Sequence, residues 1–219
     1  MVHHYFKKYG MGEKNITIHA DNCSGQNKNN AMLWYLTWRV MNGYNEKITY
    51  SFMVPGHTKF APDGFFGLIK LRLRKSDVDD IDDLVQVVHE STRSMHNLAQ
   101  PVYDNNERKV NFYQWNNFLS KYFKKFPNIS KMHHFTFEKE HPGWVKYKKQ
   151  HDEPDNYSCL LKNHNFRFDS IILEDELETK EPIGLTPARQ WYLYDEIRDF
   201  VQNPIKKDII CPEPTVARP

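Results

Sequence analysis

Cysteine is scarce in this 219-residue chain: Cys23, Cys159 and Cys211 lie far apart and form no C-x-x-C pair. That excludes a disulfide-stapled secreted scaffold and a paired-thiol metal knuckle, and it fits a reduced, intracellular setting. No run of about 20 apolar residues occurs, so no spanning helix is expected. Residues 1–10 are polar and aromatic, without the apolar stretch of an export signal. The four Asn-x-Ser/Thr matches at Asn15, Asn22, Asn128 and Asn156 therefore carry no weight. A charge excess is missing too. Thirty basic residues against 28 acidic ones leave a net charge of +2, so any nucleic-acid role must come from local patches. Internal repeats and low-complexity tracts are absent. What is present is a globular composition, 39% hydrophobic and 14% aromatic, with aromatics along the whole length. A folded chain of this size buries roughly 70% of its unfolded surface, enough for one sizeable core, or one domain and an extension, without a structural metal.

The apolar pattern predicts a short helix over residues 2–9 and a strand over 16–20. Ile16, Ile18 and Ala20 share one face of that strand, and Thr17, His19 and then Asp21 the other. A polar turn, 22–30, leads into a long helix over about 26–41. Its apolar residues, Leu33, Leu36 and Val40 with Trp34, Trp38 and Met41, cover most of the circumference, so it is expected to be buried on several sides. Residues 48–54 alternate as a second strand, which makes a parallel βαβ unit. Pro62 starts a helix running to about Lys75, and Ser76 is placed to cap another over 77–90. Further on, a helix is expected over 112–126 and a small sheet from strands near 132–137 and 145–149, with 171–173 as a further strand. A last helix over 187–201 is capped by Thr186. The expected organisation is two parts, 1–100 and 101–219.

Two segments concentrate the chemistry. The first is His19-Ala20-Asp21-Asn22-Cys23-Ser24-Gly25-Gln26-Asn27-Lys28-Asn29-Asn30. A polar run directly after a strand is open to two readings: a helix entry, since Asp21, Asn22 and Ser24 all cap well, or a site at a strand end. The second runs from Pro55 to Gly67. Asp63 in a first helical turn again suits the helix dipole. At 3.6 residues per turn, however, Asp63, Gly67, Lys70 and Arg74 fall on one stripe, which suits a phosphate backbone.

The segments "HADNCSGQNKNN" and "GHTKFAPDGFFG", with the aromatic helix "LWYLTWRV" between them, resemble an uncharacterised transposon-associated domain family among the ribonuclease H-like DDE/DDD transposases and integrases. The resemblance continues through "QWNNFLSKYF", "MHHFTF" and "PGWV" to "RQWYLYDEIRDFV". It implies an α/β chain, a partial ribonuclease H-like fold (βαβα with parallel strands) over 1–100, followed by an α+β extension. It further implies that Asp21 matches the second acid of such a site and Asp63 the third. Carboxylates clustered in this way hold Mg²⁺ or Mn²⁺, and paired ions activate an attacking water or 3′-hydroxyl on a phosphodiester. Asn22, Gln26, Asn27 and Lys28 would then orient water or phosphate, and His57 and Lys59 would neutralise developing charge.

The pattern departs from the family at its start, because no aspartate precedes Asp21 and the first acid-bearing strand is not found upstream. The expectation is a truncated or decayed copy, incomplete and inactive in DNA cleavage. The competing expectation is a catalytically silent module that binds nucleic acid or protein, nuclear if it binds DNA. Basic residues interleaved with aromatics (Lys121, Lys124 and Lys125; Lys146 and Lys148) suit nucleic acid, or else are solvated lysines around core aromatics. No histidine has finger spacing with Cys159. Lacking neighbours, the strand ending at Asp21 is expected to leave an exposed sheet edge prone to self-association.

Overall fold

The structure, a computed structural model, describes residues 1–53, 61–105, 107–164 and 177–219. In chain order its elements are α1 (Val2–Tyr9), β1 (Asn15–Ala20), α2 (Asn30–Met41), β2 (Lys47–Phe52), α3 (Ala61–Leu73) and α4 (Ile81–Glu90). There follow β3 (Tyr103–Asp104), β4 (Glu107–Arg108), α5 (Trp115–Leu119), β5 (His134–Glu138), β6 (Trp144–Lys148), β7 (Asn156–Cys159), α6 (Pro187–Tyr192) and α7 (Lys207–Ile210). The mixed α/β content agrees with the sequence. The chain divides into two compact units, one formed by Met1–Thr58 and Phe112–Lys180, the other by Lys59–Asn111 and Glu181–Pro219.

The first unit is built on a five-stranded sheet in the order β1-β2-β5-β6-β7. The expected parallel pair is there: Ile16 lies opposite Ile48, Ile18 opposite Tyr50 and Ala20 opposite Phe52. The expected small sheet is its continuation. β5 runs antiparallel to β2, with Phe135 opposite Tyr50 and Phe137 opposite Ile48, and β6 and β7 extend it. Each aligned row puts large apolar side chains on one face, and these meet α2. As its sequence requires, α2 is buried almost all round, from Leu33 to Val40. All the residues of the main core cluster belong to this unit.

Several elements differ from expectation for local reasons. The helix expected over 112–126 shrinks to α5, because Phe123 bridges to Leu161 in an extended conformation and the Lys124 N–H donates to the Leu160 carbonyl at 2.8 Å. Cross-chain backbone pairing there outcompetes helix propensity. α2 begins at Asn30, not near Gln26, with Asn29 accepting from the Met32 N–H at 3.0 Å as its N-cap. The strand proposed at 171–173 lies outside the described residues.

The second unit is held differently. None of α3 is buried, and Phe66 and Leu71 are more than half exposed. The cap of α4 is Asp80, not Ser76, and Asp80 and Asp83 form a reciprocal capping box. Asp79 accepts from the backbone N–H groups of Gln202 (2.9 Å) and Asn203 (2.8 Å). Lys206 reaches Asp80 at 2.6 Å and Asp83 at 3.1 Å. The acidic cluster that crowds the start of α4 in the sequence therefore ties the carboxyl-terminal segment down. Thr186 caps α6 as expected, accepting from the Arg189 N–H at 3.3 Å.

These ties set an acid sensitivity. The Lys206 ammonium, and then the Asp83 N–H, hold the Asp80 carboxyl below its usual 3.8, while backbone N–H groups, then Lys206, do the same for Asp83. Carboxylates lowered on folding contribute stability that is full above the unfolded value and is lost as pH falls through the folded one. Lys206→Ala is expected to lower the melting temperature near neutral pH. The two proteins should converge in strong acid, where the carboxylates are protonated. Equal melting curves at both extremes would contradict this role.

Candidate functional site at the strand ends

In open sheets, ligands meet the carboxyl ends of parallel strands. Here that end of the β1–β2 pair is closed by the turn of residues 21–29. The amides of Gln26, Asn27 and Lys28 all converge on the Cys23 carbonyl (3.3, 2.8 and 2.9 Å). The turn is pinned from beneath by Lys28, which is only 4% exposed. Its Nζ donates to Asn22 Oδ1 at 2.8 Å, lies 4.8 Å from the centre of the Phe52 ring and reaches His133 Nδ1 at 3.5 Å. Asn22 Nδ2 in turn donates to the Met53 carbonyl at the end of β2. Burial pushes the Lys28 ammonium below its usual range. Burial, then the Lys28 and Lys149 charges, lower the His133 imidazole, which favours the neutral ring that can accept from Lys28.

Asp21 sits on the outer side of the turn. Its Oδ1 accepts from the Cys23 N–H at 3.0 Å and from Asn27 Nδ2 at 2.7 Å, while Oδ2 takes no hydrogen bond among the described residues. Tyr50, whose hydroxyl donates to the Asn27 carbonyl at 2.9 Å, has its acidity reduced by burial and then by the charge of Asp21. The strand therefore delivers an exposed carboxylate held on one side and open on the other.

Most of the polar run is thus engaged internally. Asn22 and Lys28 fasten the turn and Asn27 orients Asp21, while Gln26 is exposed. Two residues that composition did not single out have structural duties. Asn30 Oδ1 accepts from the Phe126 N–H at 2.7 Å, and Trp34 Nε1 donates to the Lys124 carbonyl at 2.9 Å. Asn30 was marked in sequence only as the end of the polar run, and Trp34 only by its position on a helix too apolar for one interface. Behind the turn, a cavity of about 250 Å³ is lined by His3, Gln26, Asn29, Met32, Tyr35 and Trp115 among others, with no carboxylate side chain.

Asp63 lies in the exposed first turn of α3, in the second unit, and Lys70 and Arg74 follow it on exposed positions. His57 and Lys59 lie outside the described residues. Among the described residues no three His, Cys, Asp or Glu side chains gather closely enough to hold a metal ion. The residues at the turn supply one carboxylate and neutral amides, which does not amount to a complete metal site. Of the basic candidates, Lys146 pairs with Glu138 (3.3 Å) and Asp155 (3.8 Å), and Lys148 with Asp155 (3.9 Å). Lys121, Lys124 and Lys125 are exposed, while Phe123 and Phe126 between them are core residues. Those two rings have no free face on which to stack a base.

The Lys28 attachment has a measurable signature. Asn22→Ala removes the nearer of the two acceptors of a buried ammonium and is expected to cost about 1–3 kcal/mol in denaturant unfolding. Lys28→Met, which removes the charge but leaves the part-buried Asn22 Oδ1 without its donor, is expected to cost less, about 0.5–1.5 kcal/mol. Because the Lys28 pKa is lowered on folding, wild type should gain on Lys28→Met as pH rises through the folded value toward 10.5. Equal losses in both variants, independent of pH, would contradict a buried charged tether.

Among the described residues no helix is long and apolar enough to cross a membrane. No curated protein and no solved structure matches the chain. A family profile described as a domain of unknown function, DUF7869, matches residues 2–153. That span takes in the turn bearing Asp21, helix α3 with Asp63 and the sheet as far as β6, so the chain belongs to this family.

Proposed function

We propose that this chain is a ribonuclease H-like, transposase-derived module, with Asp21 and Asp63 as two surviving acids of an ancestral metal-dependent site that cleaved or joined DNA. The observation that carries the reading is Asp21: an exposed carboxylate at the carboxyl end of β1, beside a parallel β2, with one oxygen anchored and the other unengaged. The motif likeness extends the reading to Asp63 at the start of α3. Mg²⁺ or Mn²⁺ is the cofactor class such acids take, since hard cations prefer carboxylate and water oxygens. Among the described residues no three His, Cys, Asp or Glu side chains gather to hold a metal ion, and the present chain is proposed to be catalytically silent.

A second reading, a silent module that binds nucleic acid, is favoured by Lys121, Lys124 and Lys125, which are exposed and have no carboxylate partner among the described residues. Their replacement by alanine would weaken DNA binding across sequences and flatten its salt dependence by about one unit per lost phosphate contact.

Calorimetric titration with Mn²⁺ tests the first reading. The expected result is weak binding, on the order of 1 mM, abolished by Asp21→Ala and by Asp63→Ala, with no cleavage of single- or double-stranded DNA. Binding that survives both substitutions would overturn the assignment of the acids, and metal-dependent cleavage would overturn the silence.

A further inference from the structure

β1 is the terminal strand of the sheet, and among the described residues nothing pairs its outer side. The backbone fixes which groups that side presents. The carbonyls of Lys14 and Ala20 accept from the N–H groups of Lys47 and Met53. Because the N–H and C=O of a residue in a strand point to the same side, the even-numbered residues of β1 face β2. Asn15, Thr17 and His19 therefore turn their N–H and C=O groups outward. Edge strands are usually protected by proline, lysine, an inward charge or a bulge, and β1 has none of these: its sequence is Asn-Ile-Thr-Ile-His-Ala, paired with β2 without interruption.

Independently of the role given to Asp21, we infer that β1 is a self-association edge that pairs antiparallel with the β1 of a second copy, joining two five-stranded sheets. The strand is complementary to itself. A two-fold axis beside Ile18 puts Ile18 opposite its own copy and Ile16 opposite Ala20, so the apolar faces join. The same register puts Thr17 opposite His19 and Asn15 opposite Asp21, so the outward backbone groups meet as hydrogen-bonded pairs and no like charges face each other. Opposite residues of antiparallel strands share a face, so the register can shift only in steps that keep that parity. Of the two neighbouring permitted registers, the one centred on Thr17 sets Glu13 against Asp21, two acids directly opposed, and the one centred on His19 pairs only residues 18–20 of the strand with their copies. Side-chain alternation, backbone polarity and charge thus select one arrangement, and its occupant is a second copy of this chain.

Sedimentation equilibrium on the full chain, with Thr17→Pro and with the double variant Thr17→Lys/His19→Lys, tests this. Wild type is expected at twice the monomer mass of 26.2 kDa. Thr17→Pro removes an N–H that the sheet does not use. The lysine pair sets like charges opposite each other at two exposed positions without touching the core. Each variant is expected to weaken self-association by at least about tenfold while keeping wild-type circular dichroism. A monomeric wild type, or a folded lysine double variant that associates as wild type does, would overturn the inference.

Discussion

One buried ammonium organises the strand-end region. Lys28 is drawn under the turn that follows β1, where it binds Asn22 and covers Phe52, and Asn22 passes the tie on to the carbonyl of Met53 at the end of β2. The turn is thereby fastened to both parallel strands through side chains as well as through the converging amides on Cys23. Fixing a turn in this way costs backbone entropy of about 1–2 kcal/mol per residue, and a lysine taken from water adds a desolvation cost. What results is a carboxylate, Asp21, aimed outward from a rigid base. Preorganisation of this kind is what a ligand-binding acid requires.

The two units use different physics. In the first, aromatic side chains from β2, β5 and the segment after α5 meet around α2, with Phe126 packed edge-on against Phe135 and Tyr147. In the second, carboxylates at the start of α4 bind backbone amides and Lys206, while α3 keeps large apolar side chains in solvent. Asp21 belongs to the first kind of environment and Asp63 to the second.

Much of this was legible in the sequence where one residue's surroundings are set by its near neighbours. The alternation of Ile16, Ile18 and Ala20 gave β1 and its polar face, the all-round apolarity of 33–41 announced a buried helix, and Thr186 marked the start of α6. What depended on distant chain was hidden. Nothing local shows that Phe135 will lie beside Tyr50, or that Phe123 will leave a helical pattern to bridge Leu161. The polar run 22–30 was legible as a site or as a cap but not as the mixture it is. Lys28 gives no sign in sequence that it points inward, and the cap falls to Asn29, beyond all of the candidates Asp21, Asn22 and Ser24.

The proposal that Asp21 and Asp63 serve one divalent ion is tested most directly by Mn²⁺-induced broadening of backbone amide resonances. The account predicts that amides of the 21–28 turn and of the first turn of α3 broaden together at the same Mn²⁺ concentration, and that Asp21→Ala abolishes both effects. Broadening at one acid alone, or at Asp63 undiminished in Asp21→Ala, would contradict it.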